Sequence, residues 1–252
     1  MPLDLERNYW TTGQVSRRSL IRGGALGITG LSAAALVGCG DKEKEIKGDK
    51  NGGGKKEQPG GTLVWGMESD IDPIDPHTVN AWVTWRVNYQ MFETLWAKDL
   101  SKYTNGGVHP NVARLAESVE ISDKGSTYTF KLRQGVKFHD GTAFNAEAVK
   151  FNWKRWEEGS PLYLVRAARR QRFMNQYLTG INVIDAHTIQ FKNSRPFGEF
   201  LELQTGYYFP AILSPTALEK LGNDGFPKAP VGTGPFRFVE RVEGQRIVAA
   251  RN

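Results

Sequence analysis

The chain of 252 residues contains one cysteine and four histidines, so it can form neither an internal disulfide nor a Cys/His zinc framework. Nowhere does an uninterrupted apolar run reach the roughly 18 residues that a spanning helix needs. A G-x-S-x-G nucleophile motif is missing, and so is a complete phosphate loop. What is present is ordinary for a globular protein: 39% hydrophobic, 24% charged and 11% aromatic residues. That balance excludes a collagen-like, coiled-coil or wholly disordered chain. Thirty-three basic residues against 27 acidic ones give a formal net charge of +6.

The first 60 residues do not read as part of a fold. Ser16-Arg17-Arg18-Ser19-Leu20-Ile21 sets an arginine pair before a mildly apolar stretch, Gly23 to Gly38, which glycines interrupt. A positive region, a short apolar region and a small-residue end make an export signal over residues 1–38. The arginine pair with this weak core resembles a twin-arginine signal, and the general secretory route is the alternative. Leu36-Val37-Gly38-Cys39 resembles a bacterial lipobox, in which the thiol of Cys39 is alkylated by a diacylglyceryl group. More than one acyl chain would hold such a protein stably at a membrane, and no thiol would remain for catalysis. Cleavage before Cys39 leaves 29 basic and 25 acidic residues, a net charge of +4. Residues 39–60 carry one large apolar side chain, Ile46, and read as a flexible tether spanning about 25 Å.

The foldable part begins at Gly61. Gly61–Gly66 reads as a buried strand, and residues 68–79 as turns. Asn80 is placed to cap a helix in which Trp82, Trp85, Tyr89, Phe92 and Trp96 recur at spacings of three and four. Tyr89, Phe92 and Trp96 read as core, whereas Trp82 and Trp85 lie in the first turns, where a cleft role is open to them. Two hairpins follow, one turning at Asp123-Lys124-Gly125 and one at Asp185-Ala186-His187. Asn145 caps a helix carrying Val149, Trp153 and Trp156, and ARRQR (168–172) reads as a polar, mobile stretch. FGEFLELQ is a short helix, and Ser214 with Pro215 opens another. VGTGPFRFVE is a glycine-broken strand and QRIVAARN a further strand. The fold class is α/β (mixed α+β) with a mixed sheet.

Candidate chemistry is sparse. Asp70, Asp72, Asp75 and His77 are the best metal candidate, but Pro73 and Pro76 stiffen the segment and no turn glycine follows, so Asp-Pro turns are the better use. His139-Asp140 has the order of a base and its orienting partner, yet sits in an Asp-Gly turn with no nucleophile motif. Gly232-Thr233-Gly234 lacks the lysine and third glycine of a phosphate loop. Arg166, Arg169, Arg170 and Arg172 form a basic run best read as a solvated face, without a nucleic-acid partner. No catalytic set, metal or cofactor is indicated.

Four segments together resemble the extracytoplasmic solute-binding proteins of peptide- and nickel-type ABC importers, solute-binding family 5. They are GGTLVWGMESDIDPIDPH (60–77), LAESVEISDKGSTYTFKLRQGVKFHDGTAFNAEAVKFNWKRW (115–156), SRPFGEFLELQ (194–204) and PVGTGPFRFVERVEGQRIVAARN (230–252). One departure is Ala148, where the family often has an acidic residue. The resemblance implies a type II periplasmic-binding-protein-like fold of two lobes, of which residues 61–252 would be the first and the second would be missing. Within that lobe, about 61–105 and 205–252 would form the main subdomain and about 106–204 an inserted one. It implies a non-enzymatic protein outside the cytoplasmic membrane, anchored through Cys39, that captures peptides and delivers them to ABC permease subunits. Alternatives are nickel, haem or another small solute as ligand, or an exported hydrolase. The implied ligand-facing residues are Met67, Glu68, Ser69, Trp82, Tyr207, Tyr208, Phe209, Gly232, Thr233 and Gly234.

Overall fold

The computed structural model describes residues 60–78, 81–103, 106–205 and 210–252. The expected signal, Cys39, most of the tether, Asn80 and Tyr207–Phe209 lie outside the described residues. The chain divides into two units, Met1–Gly61 and Thr62–Asn252. The second is described below.

Its largest sheet has four antiparallel strands in the order β3-β4-β6-β5, where β3 is Ala116–Ser122, β4 Thr127–Leu132, β5 Leu178–Asp185 and β6 Thr188–Asn193. Both hairpins form as expected. Asp123 and Lys124 take positive φ in the first turn and Gly125 completes it. In the second, the Asp185 carboxylate accepts the His187 N–H at 2.7 Å. The central strands alternate: Tyr128, Phe130 and Leu132, with Ile189 and Phe191 opposite, are buried, whereas Lys131 and Lys192 point the other way to solvent and only Thr127 and Thr188 are buried on that second face. This one-sided pattern is that of an antiparallel sheet covered on a single face.

Helix α2 (Ala146–Lys154) and the short α4 (Glu199–Leu203) supply the cover. Asn145 caps α2 by accepting the Ala148 N–H at 2.9 Å, as its sequence position predicts. Val149 and Trp153 then face inward, and the Trp153 ring lies 4.9 Å from that of Phe191. Phe200 of α4 packs on Tyr128 and Phe191 at 4.8 and 5.5 Å. The ARRQR stretch, read from sequence as polar and mobile, lies inside helix α3 (Val165–Asn175). Alanine, arginine and glutamine are strong helix formers, and the fully buried Ala167 gives the helix its foothold.

A second cluster of buried side chains joins α1 (Trp82–Met91), the preceding loop through Ile71 and Ile74, Ala211 and Leu213, and α5 (Pro215–Gly225). Ser214 caps α5 from the Ala217 N–H at 3.1 Å, with Pro215 in the first turn as expected. Two departures from expectation occur here. Helix α1 ends at Met91, and Trp96 lies in strand β1 (Trp96–Lys98), paired antiparallel with β2 (Asn111–Ala113). The helix stops because Phe92 turns extended and the Met91 carbonyl is taken by the Gly234 N–H at 3.0 Å. Phe92 is core as expected, but Tyr89 is 42% exposed, and of the two candidates for a cleft Trp85 is buried. The other departure is Gly61–Gly66, expected as a buried strand, which pairs with no strand among the described residues and leaves Leu63 and Val64 more than four-fifths exposed. A strand needs a hydrogen-bonding neighbour as well as β-branched composition. The chain ends in a hairpin of β7 (Phe236–Val242) and β8 (Arg246–Arg251), with the Gly232–Gly234 segment before it rather than inside it.

One buried ion pair ties these parts together. Arg155, just past the end of α2, is fully buried and makes a bidentate contact with Asp75 at 2.9 and 2.7 Å. Its remaining N–H groups reach Asn223 of α5 and Nδ1 of His77. His77 in turn donates from Nε2 to the Ala211 carbonyl at 2.9 Å. Asp75 and His77, weighed from sequence as metal ligands, are thus used in this network, and no cluster of three or more metal-ligating side chains occurs among the described residues. Replacing Arg155 with alanine should cost about 3–5 kcal/mol in urea unfolding, because Asp75 is left buried and uncompensated. The double replacement Arg155→Met with Asp75→Leu should recover most of that loss.

Candidate ligand-binding site

Asp70 and Asp72 organise the segment that carries the first group of expected ligand contacts. Asp70 accepts N–H groups from Ile71 and Gly244 at 2.8 Å each and pairs with Arg241 at 3.3 Å. These hydrogen bonds, led by that from Ile71, hold its carboxyl below the usual range. Asp72 accepts the Ala81 N–H, and its own N–H donates to Thr84 Oγ1, so the start of α1 is fixed to the loop. Arg241 also donates to the carbonyls of Ile71 and Asp72. Strand β7 and the turn that follows it therefore grip the chain just beyond Ser69.

Next to this anchor, Glu68 pairs with Arg86 of α1 at 2.8 Å, and Ser69 donates to the Asp70 carbonyl at 3.2 Å. Met67 is half-buried against the second core, and Trp82, one helical turn before Arg86, is 49% exposed. Glu68 and Trp82 thus share one exposed end of α1. The exposed indole and the carboxylate–guanidinium pair offer a flat apolar surface beside one charge of each sign.

Gly232, Thr233 and Gly234 sit at the other end of the same helix. Nine residues of helix at 1.5 Å each place Trp82 about 14 Å from Met91 along the axis. All three are buried. A Cβ on Gly232 would lie 2.2 Å from the Met91 carbonyl oxygen, and one on Gly234 would lie 2.6 Å from the Met91 carbonyl carbon. Both positions require glycine so that the backbone can pass against the end of α1. The Thr233 hydroxyl is buried and finds no partner among the described residues. The structure therefore brings Met67–Ser69 and Trp82 together and sets the glycine segment apart from them.

Sequence reasoning missed what holds that segment. His139 donates from Nε2 to the Gly234 carbonyl at 2.9 Å, Nδ1 accepts the Gly232 N–H at 3.4 Å, and the His139 N–H donates to the Gly232 carbonyl at 2.9 Å. Asp140 accepts hydrogen bonds from Ser214 Oγ at 2.5 Å and from Thr142. Burial alone would push its carboxyl up, but these donors outweigh it and hold it low. The His139-Asp140 pair is thus a clamp between the glycine segment and the start of α5, with both ring nitrogens committed. The only sequence signal was the HDGT turn, which marked the bend but not its partner some 95 residues away.

The larger of the two described cavities, about 340 Å³, lies elsewhere, between α2 and the start of α5. Asn145, Glu147, Lys150, Phe151, Lys154 and Pro215 line it, and none of the expected ligand contacts does. No helix among the described residues is long and apolar enough to cross a membrane.

Burial pushes the His139 imidazole below its ordinary value, more than the hydrogen bond to the Gly234 carbonyl and the charges of Asp140 and Glu93 raise it, and Arg237 adds to the lowering. The unfolded chain then binds the extra proton first, so stability is full above about pH 6.5 and falls as pH drops through the folded value. Urea unfolding between about pH 7.5 and 5 should show this slope, and His139→Gln should flatten it relative to the unmodified chain.

Comparisons with known proteins converge. The family described as bacterial extracellular solute-binding proteins, family 5 Middle, matches residues 111–252. The glutathione-binding protein GsiB of Shigella flexneri is 32% identical over 224 residues, which is 88% of this chain and 37% of that protein. GsiB of Escherichia coli K12 is 31% identical over the same spans. Among solved structures, the periplasmic binding protein DppA of Helicobacter pylori, in complex with the peptide STSA, superposes with a TM-score of 0.61 at 27% identity. It covers 73% of this chain and 38% of its own. A dipeptide-binding protein of Pseudoalteromonas sp. SM9913, bound to Met-Leu, matches in fold with a TM-score of 0.64 at 22% identity, covering 73% and 38%. The chain thus spans well under half the length of the proteins it matches. Its fold is part of a type II periplasmic binding protein, and these relatives are binding proteins rather than enzymes.

Proposed function

The chain belongs to the family 5 bacterial extracellular solute-binding proteins, and from that premise we propose that residues 61–252 are the first lobe of an ABC-importer binding protein that captures short peptides. The observation that carries the reading is the similarity over most of the chain to a glutathione-binding protein and to a binding protein holding a tetrapeptide. Glutathione is itself a modified tripeptide, so both point to small molecules rich in amide groups. An exposed aromatic surface beside charges of both signs suits peptide termini and tolerates varied side chains. We assign Met67, Glu68, Ser69 and Trp82 to this surface, with Tyr207–Phe209 and Gly232–Gly234 as further contacts implied by the resemblance.

The two clusters of buried side chains support a division of the lobe into a main subdomain, about 61–105 and 205–252, and an inserted one, about 106–204. Hinge closure of a second lobe over the peptide would couple binding to docking on permease subunits. Residues 1–38 are proposed as an export signal and residues 39–60 as a lipid-anchored tether.

Two experiments test this reading. Titrating the chain with glutathione, Met-Leu and a tetrapeptide should move the indole resonance of Trp82, weakly, because one wall of a cleft makes only part of the contacts. A nickel chelate or haem should leave it unmoved, and a response to either of these alone would replace peptide with metal complex as the ligand. Separately, expression in a bacterium with labelled palmitate should mark the protein and place it in the membrane fraction. Cys39→Ala should abolish both the label and the membrane association.

A further inference from the structure

Helix α1 carries Trp82, Arg86 and Tyr89 at spacings of four and three, which sets them in one row along its surface. All three are exposed, whereas Val83, Val87 and Met91 of the same helix belong to the second core. Tyr89, expected from sequence to be core, thus stands in the open row, its ring 5.8 Å from that of the buried Trp85. Arg86, between the two aromatics, pairs with Glu68 at 2.8 Å, and both of these side chains are about half-exposed.

The other charges near this row are committed elsewhere. Asp70 accepts from Ile71, Gly244 and Arg241, and Arg241 also donates to the carbonyls of Ile71 and Asp72. Oε1 of Glu68 and the remaining N–H groups of Arg86, by contrast, have no other partner among the described residues. The row therefore offers a solute one anion and one cation, 2.8 Å apart and open to solvent, with an aromatic side chain on either side.

A solute that meets both charges at once must carry an ammonium group and a carboxylate at a matching separation. Standard bond lengths put the nitrogen and the nearer carboxylate oxygen of an α-amino acid about 2.7 Å apart, close to the length of a charge-assisted hydrogen bond. Ligand ammonium, Glu68 carboxylate, Arg86 guanidinium and ligand carboxylate then close a ring of alternating charge. The existing pair is kept, and no side chain has to move. An ordinary α-linked peptide does not fit this pattern, because the carboxyl beside its ammonium group is spent on the first peptide bond. A γ-glutamyl peptide does fit, since its linkage leaves the α-ammonium and the α-carboxylate free on one carbon.

We propose that Glu68 and Arg86 recognise an α-amino-acid head between Trp82 and Tyr89, so that this surface prefers γ-glutamyl peptides to α-linked ones. The proposal rests on the peptide reading above and narrows its substrate class.

The probe is S-methylglutathione, whose blocked thiol cannot exchange with Cys39. It is titrated into the ¹⁵N-labelled full chain while the Trp82 indole resonance, assigned with Trp82→Phe, is followed. Its 4-aminobutanoyl analogue lacks the α-carboxylate and its glutaryl analogue the ammonium group. Alanyl-S-methylcysteinyl-glycine is α-linked, and L-glutamine carries the head alone. S-methylglutathione should bind about threefold more tightly than each of the other four, the scale of a half-exposed ion pair. Arg86→Gln should remove the preference over the 4-aminobutanoyl analogue and keep that over the glutaryl one, and Glu68→Gln should do the reverse. Equal affinity for all four tripeptide-sized compounds, or variants that weaken them all alike, would overturn the head assignment and leave the peptide reading standing. L-glutamine binding as tightly as S-methylglutathione would also overturn it, in favour of a free amino acid. A Trp82 resonance that no compound moves would overturn both readings together.

Discussion

Arg155 donates two short hydrogen bonds to Asp75 in a region from which water is excluded, and the positions of three otherwise separate segments follow from that contact. Asp75 belongs to the loop before α1, Arg155 to the end of α2, and Asn223, which takes the remaining guanidinium N–H groups, to α5. A buried ion pair adds little net stability, since the desolvation of both ions offsets most of their attraction. Its effect is geometric, because the planar guanidinium accepts the carboxylate in only one orientation and every other arrangement leaves a charge exposed to apolar surroundings. His77 extends the same logic. With Nδ1 accepting from Arg155 and Nε2 donating to Ala211, its neutral tautomer is set by its neighbours, and its edge packs on Trp156.

Local chemistry was legible in the sequence wherever it was decided locally. The hairpins at Asp123 and Asp185 and the caps Asn145 and Ser214 depend on residues a few positions apart. The structure reproduces them. What depends on distant partners was not legible. The spacing of Trp82 to Trp96 reads as one long helix because nothing in it announces that Gly234 will take the Met91 carbonyl. Residues 168–172 read as a mobile stretch because polarity hid a helical propensity that the buried Ala167 makes effective. The same distinction applies to the site. A resemblance supplied the residues around Glu68 and Trp82, but not the pairing of Glu68 with Arg86 or the His139 clamp on the glycine segment.

That clamp also changes how the glycines are understood. A pair of glycines flanking threonine invites comparison with an anion-binding loop, yet here both are required by the approach of Met91, and their carbonyls accept from His139, that of Gly234 from the imidazole and that of Gly232 from the main-chain N–H. The backbone amide of Gly234 is used to end a helix and that of Gly232 to meet Nδ1 of His139. The glycine segment therefore has a role in joining α1, the His139 turn and the β7–β8 hairpin.

The uncovered segment through Leu63, Val64 and Trp65 carries a consequence for handling the protein. It is a run of strand-forming residues without charge or proline, with its backbone donors and acceptors facing water. Such an edge is a template for any other extended chain, including its own copy in a second molecule. Solubility of this polypeptide is then a question of concentration: strand addition between copies is second order, and dilution or a capping peptide would suppress it where added charge elsewhere on the surface would not.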